Sequence, residues 1–205
     1  MLTLHDYLES GNGYKVRLLL SLLGRPFRLR EYDIVRGETR TAAYLRDINP
    51  NGRIPVLQLE DGTCLCESNA ILWYLAEGTP YLPADPLDRA RVLQWMCFEQ
   101  YSHEPNIATR RFWLHLDGLD DLQRRQLGPK LEAGHAALGV MAGHLAGRHW
   151  FVGDGPTIAD IALYAYTHVA HEGGFDLAPY EAVTAWLARV AAVPGHVPIT
   201  ERDFG

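Results

Sequence analysis

The feature that most constrains the fold is a change of pattern across residues 78–86, a stretch carrying Pro80, Pro83 and Pro86 and no apolar periodicity. Before it, apolar residues recur at both strand and helix spacings; after it they recur only at helical spacing. Proline is excluded from central strands and helix interiors, so three of them in so short a span make a stiff connector. The chain is therefore predicted to form two domains, 1–78 and 87–205, joined by a linker over 79–86.

In the first domain a short apolar strand over 1–4 is followed by the turn Ser10-Gly11-Asn12-Gly13. Val16, Leu18, Leu19, Leu20, Leu22 and Leu23 then recur as in a helix, which Gly24 closes. Phe27 and Leu29 alternate with Arg28 and Arg30, predicting a strand over 27–35, and a short segment from Gly37 ends before Asn49-Pro50. Asp61-Gly62 between two strand-like runs predicts a hairpin, and Ser68 is placed to N-cap a helix carrying Ile71, Leu72, Tyr74 and Leu75. The expected order is βαβαββα. Beyond the linker, helices are expected over 87–116 and 120–145, kinked or broken at Pro105 and Pro129, and over 157–171 and 180–192, with 199–205 as a surface tail. The fold class is α/β followed by all-α.

With 205 residues, 47% of them apolar, both domains have material for a core. A formal net charge of −6 and the lack of any long Lys/Arg block argue against nucleic acid as a partner. No stretch approaches the roughly 18 apolar residues of a membrane span, and no basic segment leads into an apolar run at the start; the cytoplasm is the simplest location. The three cysteines, Cys64, Cys66 and Cys97, match neither a redox C-x-x-C nor a zinc pattern and are read as reduced thiols. His168 and His171 share a helical face, but no third ligand stands beside them, so no metal is expected. Gly11-x-Gly13 lacks the remainder of a dinucleotide fingerprint, which argues against NAD.

Two short motifs point to a ligand. In Arg53-Ile54-Pro55-Val56 a proline leads directly into a strand, where a trans bond is the common form. In Glu67-Ser68-Asn69-Ala70-Ile71 a serine at a helix start offers a hydroxyl and backbone N–H groups to an anion, for which a carboxylate is the natural guest. Either alone reads as ordinary structure; together they mark a site.

At these residues, together with Asn49-Pro50 and Thr157-Ile158-Ala159-Asp160, the chain resembles the cytosolic glutathione transferase superfamily, in its theta-, nu- and beta-like bacterial forms. The resemblance covers essentially the whole chain. It implies a thioredoxin-like N-terminal domain, an all-helical C-terminal domain, a homodimer, and glutathione as co-substrate in detoxification chemistry, with no metal. It further implies a cis bond before Pro55, with the Ile54 backbone holding the cysteinyl unit, Glu67 facing the γ-glutamyl ammonium and Ser68 its carboxylate. Thr39, Arg40 and Arg53 are candidates for the glycyl carboxylate, Arg53 foremost. Thr157 and Asp160 form a capping box of structural role.

For activating the thiol, the spacing of Ser10 before Val16 resembles the catalytic serine of theta-like members, and Ser10-Gly11-Asn12-Gly13 looks like the Thr-Pro-Asn-Gly segment of nu-like members linked to peroxide and disulfide reduction. Ser10, assisted by Asn12, is the expected catalytic pair, and Tyr7 ranks second. The second substrate, a small electrophilic or oxidised molecule, is expected between the domains, against Tyr101, His103 or Arg110; His103 or Glu104 are candidates to reach glutathione. The expected activity is a transferase in which the thiolate attacks an electrophilic carbon. The alternatives are a glutathione-dependent peroxidase or disulfide reductase, a carrier that binds glutathione or a hydrophobic ligand without turnover, and an interaction module.

Overall fold

The computed structural model describes residues 1–204, and the chain divides into two compact units, Met1–Glu77 together with the stretch from Val193 onward, and Gly78–Ala192. The second boundary corrects the expectation that everything beyond 87 belongs to the helical domain. Residues from Val193 on belong with the first unit because hydrogen bonds hold them there. The Tyr14 hydroxyl donates to the Val197 carbonyl at 2.7 Å, Arg17 Nη1 to the Ile199 carbonyl at 2.7 Å, and Ser21 Oγ to the Gly195 carbonyl at 2.7 Å. Arg202 pairs with Glu31, and Phe204 lies against Phe27. The segment expected as a surface tail thus lies, as far as residue 204, as a strap on the first unit.

In that unit β1 (Leu2–Asp6), α1 (Gly11–Leu22), β2 (Phe27–Glu31), α2 (Ala42–Asp47), β3 (Val56–Gln58), β4 (Cys64–Cys66) and α3 (Ser68–Ala76) follow the expected order, with a 3₁₀ turn, Glu38–Arg40, before α2. The sheet runs β2-β1-β3-β4, with β1 and β2 parallel and the other pairs antiparallel. This is the thioredoxin-like arrangement. β2 stops at Glu31 rather than 35 because Asp33 Oδ1 accepts from the Val35 and Arg36 amides and turns the chain. Helix α1 ends as expected at Gly24, whose φ of 60° allows the closing bonds Arg25 N–H to Leu20 C=O and Gly24 N–H to Ser21 C=O. From Gly13 to Leu20 every residue of α1 is buried, including Lys15 and Arg17. Both cations must find partners inside the fold.

The second unit contains α4 (Pro86–Phe98), α5 (Glu104–Leu114), α6 (Asp121–Leu145), α7 (Ile158–Thr167) and α8 (Glu181–Ala191). At Pro105 the expected break is a π-helical segment, Glu99–His103, which carries α4 into α5. A proline cannot donate to the preceding turn, and the wider π turn accommodates it. The side-chain Nδ2 of Asn106 donates to the Ser102 carbonyl at 2.7 Å. Helix α6 runs through Pro129 unbroken. Helix α7 is buried along its whole length, and its capping box is present: Thr157 caps the Ala159 amide and Asp160 returns to the Thr157 N–H. Asp160 also accepts from the Phe151 amide at 3.1 Å and Trp186 Nε1 at 2.9 Å. Burial nevertheless pushes its carboxyl up to about 6. Among the described residues no helix is long and apolar enough to cross a membrane.

Candidate functional site

The candidate residues of the first unit lie at two helix starts and in one loop. Ser10 is the N-cap of α1, extended at φ −73° and ψ 121°, and its hydroxyl oxygen accepts from the Gly13 amide at 3.4 Å. Gly13 has a steric reason to be glycine, since a Cβ there would overlap the Asp6 carboxylate. Asp6 accepts from the Tyr7 amide at 2.7 Å and from Arg17 Nε at 2.9 Å. Arg17 also donates to the Leu8 carbonyl, so one buried ion pair holds both ends of the turn that carries Ser10 and Asn12. Burial pushes the Asp6 carboxyl up to about 6, against the pull of Arg17 and the Tyr7 amide.

The start of α3 differs from expectation in one respect: the N-cap is Glu67, at φ 69° and ψ 116°, and Ser68 is the first helical residue. Positive φ is uncommon outside glycine and clusters at functional positions. It leaves the Glu67 side chain exposed while Ser68 is buried. Ser68 Oγ lies 3.3 Å from Asn12 Oδ1, and Lys15 Nζ donates to that same oxygen at 2.8 Å and to Ser68 Oγ at 3.4 Å. The structure thus brings together Asn12 and Ser68, which are 56 residues apart.

Pro55 follows a cis peptide bond from Ile54 and leads into β3. The loop before it is held by Asn49, whose Oδ1 accepts from the Asn51 amide at 2.9 Å and whose Nδ2 donates to the Arg53 carbonyl at 3.0 Å. The Tyr44 hydroxyl donates to that carbonyl at 2.8 Å. Of the candidates for a carboxylate, Thr39 is buried at 3% exposure and Arg40 donates to the Asn51 carbonyl at 3.0 Å, close against Gly52. Arg53 is exposed. Tyr7, the second choice for the thiol, is half-buried and donates to Glu9 at 3.0 Å.

In the second unit the three aromatic and basic candidates separate. Tyr101 stands 88% exposed on the π segment. His103 is instead a core residue, fully buried with Nε2 2.9 Å from Thr167 Oγ1, and Arg110 is spent on structure, donating to the Leu127 and Gly173 carbonyls and lying over Phe175. His103 ends the π segment and Arg110 lies on α5, and each is taken up by partners far along the chain, which sequence spacing alone does not resolve. Glu104 opens α5 and is half-buried. The two histidines do not share a helical face: α7 ends at Thr167, His168 caps it against Tyr164, and His171 sits in the 3₁₀ turn Ala170–Gly173. Among the described residues no group of three His, Cys, Asp or Glu side chains is placed to hold a metal ion. Cys64 and Cys66 are half-buried thiols raised by burial, and Cys97 is exposed.

Sequence reasoning missed Lys15, Asn49 and the Asp6–Arg17 pair. The available signal was Lys15 and Arg17 themselves, two cations set in the apolar run of α1.

A thioredoxin-like unit with a cis-proline before β3 and with the starts of α1 and α3 meeting at Asn12 and Ser68, followed by an all-helical unit, defines a class, and sequence comparison gives the same class. Residues 10–77 match the family described as glutathione S-transferase, N-terminal domain, and residues 123–194 match glutathione S-transferase, C-terminal domain. The chain belongs to the cytosolic glutathione S-transferase superfamily. It is 50% identical to a glutathione S-transferase of known crystal structure from Pseudomonas fluorescens Pf-5, over 98% of this chain and 99% of that one, with a TM-score of 0.93. It is 34% identical to maleylacetoacetate isomerase of Pseudomonas aeruginosa, over 92% of this chain and 88% of that protein. A glutathione transferase family member from Pseudomonas fluorescens Pf-5, solved with two glutathione molecules bound, is 26% identical, with 95% of this chain and 89% of that one covered and a TM-score of 0.81.

Proposed function

We propose that this chain is a glutathione-dependent transferase that binds glutathione in its first unit, stabilises the thiolate and directs the sulfur at an electrophilic carbon of a second small substrate. The observation that carries this reading is the meeting of Asn12, at the start of α1, with Ser68, at the start of α3. Two adjacent helix starts supply amide donors for a carboxylate and for a thiolate. In this reading Ser68 and the α3 amides take the γ-glutamyl carboxylate, Glu67 takes the γ-glutamyl ammonium, the Ile54 backbone takes the cysteinyl unit and Arg53 takes the glycyl carboxylate. Ser10 donates to the sulfur, with Asn12 assisting. A free thiol titrates near ~8.5, so each unit of lowering asks about 1.4 kcal/mol of these groups. The thiol proton leaves to bulk water, and the S–C bond forms as the leaving group departs. Tyr101 is the proposed contact for the second substrate, and the assembly is a homodimer.

The test compares wild type and Ser10→Ala in conjugating glutathione to an activated aryl halide and in glutathione-dependent reduction of a disulfide and an organic hydroperoxide. Loss of conjugation in the variant with glutathione affinity retained supports the reading. A wild type that binds glutathione yet is inert with every substrate makes the protein a carrier.

The likeness to maleylacetoacetate isomerase favours a second reading, in which the substrate is a maleyl-type diacid. Reversible addition of the thiolate to an activated double bond, rotation and elimination use the same groups. Turnover of maleylacetoacetate exceeding that of aryl halides selects it.

A further inference from the structure

We propose that Lys15 is a positioning residue for the thiol chemistry, holding the amide oxygen of Asn12 so that the amide NH₂ is aimed at the glutathione sulfur. The inference rests on the glutathione reading above. An asparagine amide presents an acceptor at one end and two donors at the other, with almost the same shape, so its neighbours decide which end faces a ligand. Lys15 can only donate, and its Nζ lies 2.8 Å from Asn12 Oδ1. Ser68 Oγ stands 3.3 Å from that same oxygen. The oxygen thereby faces the buried Lys15 and Ser68, which leaves the NH₂ as the end of the amide that can serve as donor to a thiolate.

Lys15 is fully buried, where such a bond is stronger than in water and polarises the amide it reaches. The same Nζ lies 3.4 Å from Ser68 Oγ, so the groups proposed for the γ-glutamyl carboxylate and for the sulfur share one network. A carboxylate drawing the Ser68 hydroxyl toward itself leaves Lys15 to hold Asn12, which links occupancy of one end of the site to readiness at the other.

The experiment compares wild type with Lys15→Met, which removes the donor, and Lys15→Arg, which keeps one. Three quantities are read at neutral pH: the ultraviolet absorbance of the bound thiolate, kcat against KM, and affinity for S-methylglutathione, which has no thiol. Lys15→Met is expected to lower thiolate signal and kcat roughly tenfold, about the worth of the charge-assisted hydrogen bond that holds the Asn12 amide. Its affinity for S-methylglutathione stays within about threefold of wild type, and Lys15→Arg restores most of the signal. An undiminished thiolate signal in Lys15→Met overturns the proposal. So does an equal loss of all three quantities with a lowered denaturation midpoint, which marks Lys15 as purely structural. Should Lys15→Met not fold, Asn12→Leu removes the amide without adding a charge; an undiminished thiolate signal in it overturns the proposal. A wild type that binds neither glutathione nor S-methylglutathione removes the underlying reading, whereas a wild type with full signal and insensitive variants removes this inference alone.

Discussion

Nε of Arg17 lies 2.9 Å from Oδ2 of Asp6, and both side chains are completely buried. Around this pair the end of β1, the turn after it and the C-terminal strap converge, because Arg17 also donates to the carbonyls of Leu8 and Ile199. Removing one partner leaves a buried charge without its counterpart. Arg17→Met is therefore expected to cost about 3–5 kcal/mol in urea denaturation and to make the strap sensitive to protease. Asp6→Leu combined with Arg17→Met is expected to recover part of that loss, and a double variant no better than the single one contradicts this account.

Gly13 and Gly139 both lie in helices and should respond oppositely to alanine. At Gly13 the new Cβ meets the Asp6 carboxylate, so Gly13→Ala is expected to cost about 3 kcal/mol and to displace the Ser10 turn. At Gly139 nothing lies within 4 Å of the added atom, so Gly139→Ala gains about 0.5–1 kcal/mol from helix propensity. Denaturation midpoints of the two variants decide the matter.

Asp160 gives a pH dependence of defined sign. Its carboxyl is raised by burial from an ordinary 3.8 to about 6, so the folded state holds the proton more tightly than the unfolded one. The stability linked to that proton is fully present below 3.8 and is lost as pH rises through about 6. Asp160→Asn cannot titrate. The stability of wild type minus that of Asp160→Asn is expected to fall by roughly 3 kcal/mol from acid to neutral pH. A difference that is flat or rising with pH refutes the assignment.

Tyr101 and Arg110 were equal candidates in the sequence and are predicted to part company on mutation. Tyr101→Ala removes an exposed ring and should leave stability within about 0.5 kcal/mol, while raising KM for the second substrate. Arg110→Ala removes the donor to Leu127 and Gly173 and should cost about 1–3 kcal/mol. Unfolding curves and steady-state kinetics on both variants test this directly.

The element order of the first unit was legible because each element announces itself locally: apolar alternation at Phe27 and Leu29, Asp61-Gly62 in the hairpin, Gly24 at a helix end. What was not legible is what depends on partners far along the chain. Ser10 and Asn12 were visible as a turn, but Lys15 takes its meaning from Ser68, which only the packing of α1 against α3 brings near. His103 and Arg110 stand close to Tyr101 in sequence but are held by Thr167, Leu127 and Gly173, partners that only the packing of the helices brings near. The strap from Val193 on carries no periodicity, since the carbonyls of Gly195, Val197 and Ile199 anchor it beside the side chains of Arg202 and Phe204, and a carbonyl leaves no mark on the sequence.

That strap makes the first unit discontinuous in the gene. A fragment ending at Glu77 is not the first unit: it leaves Arg17 buried without the Ile199 carbonyl and strips cover from Tyr14 and Ser21. During synthesis the segment that completes the first unit emerges only after the entire helical unit has been made. Separately expressed halves of this protein should accordingly be cut at two places, with the closing segment returned to the N-terminal half.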